Sequence, residues 1–221
     1  MTTSSLITIA EPRSPISEAY RTLRTNLDFA GLDQALNTLL ITSPEPGAGK
    51  STTLANLAVV SAQAGRKVIL MDTDLRRPSL HSLFGLSNEH GLTDMVMDEA
   101  ALRHPPLQET EIPDLWVLAS GALPPNPADL LGSQRMGEVI AALKAEADQV
   151  LLDAPPVVLV TDAAVLSTQV DGVLLVIGAG KTRREMARTA VQRLEQVNAR
   201  IVGSVLSGVR LEGGLRDYYA Q

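Results

Sequence analysis

The stretch TSPEPGAGKST, residues 42–52, decides the fold. It follows an apolar run, TLLITS (38–43), and opens an amphipathic one, TLANLAVVSAQAG (53–65). That is the strand–loop–helix setting a phosphate-binding loop requires. The run Pro46, Gly47, Ala48, Gly49, Lys50, Ser51 and Thr52 is the candidate nucleotide-binding segment: Gly47 and Gly49 let the backbone curl, so that successive N–H groups after Pro46, which has none, point at phosphate oxygens. Lys50 has the reach for the β- and γ-phosphates, and Ser51 supplies a hydroxyl to Mg²⁺. Pro44 stands where the usual pattern has its first glycine, but the core GAGKS is intact.

Outward from this loop, short apolar runs alternate with helical patterns. The runs are KVILMD (67–72), LWVLAS (115–120), QVLLDA (149–154), DGVLLVIG (171–178) and RIVGSVL (200–206), each bounded by Gly, Pro or Asp. Continuous runs rich in β-branched residues suit parallel strands covered on both faces. Residues 16–31 place Tyr20, Leu23, Leu27 and Ala30 on one helical stripe, and residues 186–198 do the same with Met186, Ala190, Leu194 and Val197. The alternation predicts an α/β fold: one doubly wound, mainly parallel sheet with helices on both sides. A single domain is expected over 1–221, with an N-terminal arm at 1–15 and a tail at 212–221 that Gly213 and Gly214 introduce.

Composition bounds the function. Among 221 residues, 45% are apolar and only 3% aromatic, so the core must be Leu, Val, Ile and Ala. A net charge of −6 lacks the basic footprint of non-specific nucleic-acid binding. Without cysteine there is neither disulfide nor thiolate metal site. No apolar run is long enough to span a bilayer and no secretory signal opens the chain, so a cytoplasmic protein is expected.

A phosphate loop that binds Mg²⁺ needs an acidic partner at a neighbouring strand end. Asp72 and Asp74 end one run and Asp153 another. Each alone also reads as a cap or turn residue; three at two strand ends beside one phosphate loop point to a site. Asn126, Pro127 and Asp129 in LPPNPADLL, and Asp162 in VTDAAVL, read as helix-start residues. His81, His90 and His104 show no metal-ligand spacing.

Together, EAYRTLRTNL, TSPEPGAGKST, VILMDTDLRRP, LPPNPADLL, VLLDAPPV and a tyrosine-bearing tail resemble the bacterial tyrosine autokinases of capsular and exopolysaccharide synthesis. The resemblance spans nearly the whole chain. It implies a P-loop ATPase fold of the septum-positioning and partitioning class, with ATP and Mg²⁺ as cofactors. Lys50 and Ser51 would serve in the first Walker motif, Asp72 and Asp74 in the family's extra acidic motif, and Asp153 in the second Walker motif. Ser51, Asp153 and Asp74 would attend the metal, and Asp72 would accept the tyrosine proton. Tyr218 and Tyr219 would be the acceptors, offered to a neighbouring subunit; relatives often carry longer tyrosine clusters. Glu18, Arg21 and Arg24 resemble a motif that assembles subunits into a ring, although periodicity alone favours a solvated face with an i,i+3 ion pair. Tyr20, on the apolar stripe, should be packed. Relatives usually carry Asn near Ser207 to recognise adenine. Implied partners are a membrane-spanning activator, as a separate protein or as a missing domain, and a resetting phosphatase.

Two other readings remain at this level. A partitioning-type ATPase switch would carry a second lysine early in the loop, where this chain has Glu45-Pro46-Gly47. A nucleotide-gated assembly scaffold would use every motif for binding alone.

Overall fold

A computed structural model describes residues 6–209. Seven strands form one sheet: β1 (Thr38–Thr42), β2 (Val68–Asp72), β3 (Gln108–Glu109), β4 (Leu115–Leu118), β5 (Gln149–Asp153), β6 (Gly172–Gly178) and β7 (Ile201–Ser207). Their order is β3-β4-β2-β5-β1-β6-β7. All pairings are parallel except that of β3 with β4. The six long runs read from the sequence are the six parallel strands. β3 escaped that reading because two polar residues carry no apolar pattern.

The apolar runs become strands because both of their faces are covered. Every residue of β1, β2 and β5 is buried. Side chains alternate across the sheet, so neighbours serve opposite layers. Leu39 and Ile41 enter one core with Leu54, Leu57 and Val60; Leu40 enters the other with Val139, Leu143, Leu166 and Leu194. Ten helices accompany the sheet among the described residues. They are α1 (Ile7–Ala10), α2 (Pro15–Ala30), α3 (Lys50–Ala62), α4 (Leu80–Phe84), α5 (Leu92–Met97), α6 (Glu99–Arg103), α7 (Pro127–Leu131), α8 (Gln134–Glu146), α9 (Asp162–Ser167) and α10 (Arg184–Glu195).

The phosphate loop feeds α3, which is buried continuously from Thr53 to Ala62. A helix so enclosed needs its polar side chains satisfied. Asn56 accepts from the Thr8 N–H at 3.1 Å and the Thr8 hydroxyl at 2.8 Å, and donates to the Thr52 carbonyl at 2.8 Å. The first residues of the described chain therefore pack as a helical turn across the helix that carries the site. α2 follows, started by the Ser14 cap on the Ser17 N–H and by Pro15 at its first position. Tyr20 and Leu23 pack against the same core, as the stripe predicted. Burial pushes the Tyr20 phenol above its ordinary range, with a bond to Thr53 opposing.

This topology positions the site. β2, β5 and β1 are adjacent, and parallel strands end on the same edge. Asp72 and Asp153 are register partners, and the loop after β1 rises beside them.

Candidate active site

The loop's shape depends on two glycines with positive φ, Gly47 at 74° and Gly49 at 85°. Side chains are strained there, and Gly49 is also the residue from which α3 starts. The loop's shoulders are tied down: the Thr42 hydroxyl donates to the Pro155 carbonyl (2.7 Å), the Ser43 hydroxyl to that of Glu45 (2.8 Å), and the Val157 N–H to that of Ser43 (3.0 Å). α3 then presents Lys50 and Ser51 in its first turn, where its N–H groups favour an anion.

Lys50 and two aspartates meet at this point. The Lys50 ammonium lies 3.0 Å from Asp74 Oδ2 and 3.2 Å from Asp153 Oδ1. The Ser51 hydroxyl donates to Asp153 Oδ2 at 2.5 Å. Asp153 is fully buried at the end of β5. Burial pushes its carboxyl up, against the pull of Lys50 and the Ser51 bond. For Lys50, burial alone would lower the pKa, but Asp153 and Asp74 outweigh it and hold the ammonium above its ordinary value.

Asp72 and Asp74 differ in a way their spacing does not show. Asp72 is fully buried. Its Oδ2 accepts the Ser79 and Leu80 N–H groups at 2.8 and 2.9 Å, and its Oδ1 the Asp74 N–H at 3.3 Å. Burial first, then the Asp153 charge, push its carboxyl up to about 7, with the Leu80 and Ser79 bonds opposing. Asp74 instead faces a cleft of about 460 Å³, whose walls include Gly47, Lys50, Ser51, Arg76, Arg77 and Leu159. A second pocket of about 320 Å³ opens on the other side of the loop, between Tyr20, Thr52, Gly178, Lys181 and Ser207. The Ser207 hydroxyl donates to the Ala48 and Ile177 carbonyls. It is spent on holding the loop to β6 and β7.

The donor set fits Mg²⁺. Ser51 and Asp153 offer hard oxygens side by side, and Mg²⁺ is commonly held by one or two protein oxygens with phosphates and waters completing its shell. Among the described residues no group of three or more His, Cys, Asp or Glu forms a metal cage.

The structure thus brings together Pro46, Gly47, Ala48, Gly49, Lys50, Ser51, Thr52, Asp74 and Asp153, with Asp72 directly behind. Glu18, Arg21 and Arg24 lie elsewhere, on α2. Arg21 pairs with Glu18 at 2.9 Å and donates to the Pro12 carbonyl at 2.6 Å, while Arg24 donates to the Val60 carbonyl at 3.0 Å. Tyr218 and Tyr219 lie outside the described residues.

One participant escaped sequence reading. Asp162, taken as a helix-start residue, is fully buried and grips Arg76 through two bonds, Nε to Oδ2 at 2.8 Å and Nη2 to Oδ1 at 3.0 Å. This fork–fork pair fixes the segment after Asp74 to α9. A lone Asp before helix formers carries no local signal of a partner 86 residues away.

Comparison with known proteins matches residues 39–212 to the CobQ/CobB/MinD/ParA nucleotide binding domain. The chain is 44% identical over 207 residues to the tyrosine-protein kinase YwqD of Bacillus subtilis, covering 94% of this chain and 87% of that one. Among solved structures, the kinase domain of the Escherichia coli tyrosine kinase ETK superposes with a TM-score of 0.88 at 36% identity, over 94% of this chain and 81% of that one. The chimerical protein CapA2B2 gives 0.87 at 39% identity, over 92% and 89%.

Two predictions follow from the buried carboxylates. Removing Arg76 strands a buried charge, whereas removing Asp162 frees an arginine that is 43% exposed. Arg76→Met should therefore cost about 3 kcal/mol in urea unfolding, and Asp162→Asn clearly less; equal costs would show that the pair's burial does not matter. For Asp72, the folded chain keeps its proton up to about pH 7, while the unfolded chain releases it at about pH 4. Stability should fall as pH rises through that window. In nucleotide-free, EDTA-treated protein, Asp72→Asn should flatten the fall in Tm between pH 5 and 8; an unchanged slope would refute the assignment.

Proposed function

The chain belongs to the bacterial tyrosine-protein kinases, and from that premise we propose that it transfers the γ-phosphoryl group of ATP to Tyr218 and Tyr219 of a neighbouring copy. The observation that carries the reading is the Lys50–Asp74–Asp153–Ser51 constellation opening onto a cleft with room for a phenol ring.

In this mechanism the loop N–H groups and Lys50 take up the β- and γ-phosphates. The ammonium must leave Asp74 to do so, because its three donors are already directed at carboxylates and Ser51. Asp74 is thereby released at the moment the phosphates are in place. It is the carboxylate on the cleft, so it is the group proposed to accept the tyrosine proton. A phenol with a pKa of ~10 needs such an acceptor at neutral pH. Asp72, whose oxygens are held by backbone N–H groups, is proposed to shape the turn that aims Asp74. Ser51 and Asp153 would hold Mg²⁺, which supplies charge neutralisation at the phosphates. Lys50 and the loop then stabilise negative charge on the group in transit.

The wider setting belongs to the same proposal. Ring-like assembly through Glu18, Arg21 and Arg24 would bring one copy's tail to the next copy's cleft. A membrane-spanning activator and a phosphatase would set the cycle that tunes exopolysaccharide polymerisation and export. Among the described residues no helix is long and apolar enough to cross a membrane; recruitment to the inner membrane face would be through that partner or through a missing membrane domain. Glu45, standing where a partitioning-type switch has its second lysine, weighs against that alternative.

Incubation with Mg-ATP followed by intact-mass measurement tests the function. The expected result is phosphate on Tyr218 and Tyr219, absent in Lys50→Met, with Asp74→Asn slowed by about 10²-fold or more and Asp72→Asn slowed less. ADP release with no phosphate on the protein would overturn it in favour of a switch or scaffold.

A further inference from the structure

The cleft beside Asp74 has two chemically different walls. One is aliphatic, built from Pro155, Pro156, Leu159 and Val160. Leu159 is 58% exposed there, an unusual place for a large apolar side chain unless something rests on it. The other wall carries Arg76 and Arg77.

The cations of the cleft are not equivalent. Lys50 is neutralised by Asp74 and Asp153, and Arg76 by the buried Asp162. Arg77 is exposed, and among the described residues its guanidinium has no ion pair or hydrogen bond. Its backbone is nevertheless fixed, because its N–H donates to Asp74 Oδ1 at 3.0 Å and to the Asp74 carbonyl at 3.1 Å. An unspent guanidinium is therefore tethered through a fixed backbone next to the proposed proton acceptor, across the cleft from an apolar shelf. Phosphates have their own donors deeper in the cleft, in the loop and Lys50, which leaves Arg77 at the rim for another anion.

We propose that this rim reads the acceptor segment, and that the site takes an acidic-aromatic peptide. The tyrosine ring lies on the Leu159–Val160 shelf with its hydroxyl toward Asp74, and Arg77 pairs with a carboxylate on the residue just before it. The proposal rests on the kinase reading above and assigns that kinase its acceptor class. This chain's own end has the required pattern, because Asp217 directly precedes Tyr218. A rim pair of this kind contributes modestly and is screened by salt, so it selects among acceptors without dominating their affinity.

A charge-reversal experiment tests it. A fluorescein-labelled peptide of residues 213–221 is titrated with the full chain at low ionic strength, with Mg²⁺ and an ATP analogue that cannot be transferred, and anisotropy is read. Its Asp217→Lys version should bind the parent chain about five- to tenfold more weakly. With Arg77→Glu the preference should reverse, while the affinity for the analogue and the Tm stay unchanged. Equal binding of the two peptides, no binding of either, or an Arg77→Glu chain that loses both peptides alike or loses the analogue, would overturn the proposal. Replacing the analogue by ATP in the same samples separates it from the kinase reading. Charge preference without phosphate transfer leaves the subsite standing and removes the kinase; transfer without charge preference does the opposite.

Discussion

The site depends on one ammonium group held between two carboxylates. Lys50 sits at the first position of α3 and reaches both Asp74 and Asp153. Asp153 is fully buried at a strand end, and an unpaired charge there would cost several kcal/mol. Lys50 and the Ser51 hydroxyl are what make its ionised form tolerable. In return, Asp153 anchors the first turn of α3 and with it the glycine-rich loop. Asp72 stands in the same row without a bond to Lys50, and its carboxyl rises to about 7.

The sheet order turns this local interaction into a site. β2, β5 and β1 lie side by side in parallel, so two acidic strand ends and the phosphate loop converge on one edge. α3 can hold Lys50 in place because it is buried along its length and pinned through Asn56 to Thr8. The Arg76–Asp162 pair fixes the opposite wall. The elements around the cleft are thus tied by packing and paired polar groups, and the contact that a bound phosphate would replace is that of the Lys50 ammonium with the Asp74 carboxylate.

Much of this was legible in the chain. The six parallel strands announced themselves as apolar runs because each is covered on both faces, and the loop announced itself through GAGKST between a strand and a helix. Asp72, Asp74 and Asp153 were legible as strand-end acids. Their different roles were not, since burial and backbone hydrogen bonding distinguish them and spacing does not. Asp162 and Ser207 were also opaque. Asp162 acts through a partner 86 residues away, and Ser207 clamps Ala48 across 159 residues of sequence. Neither leaves a periodic or motif signal. β3 was missed for the opposite reason: its two residues are too few to carry any pattern.

In this mechanism phosphate and Asp74 compete for Lys50. Isothermal calorimetry of ATP binding in EDTA, comparing the parent chain with Asp74→Asn, addresses it without requiring turnover. Removing the competing carboxylate should tighten nucleotide binding by about tenfold, an ion pair of this partly buried kind being worth roughly 1–2 kcal/mol against phosphate. Unchanged or weaker binding in Asp74→Asn would contradict the account.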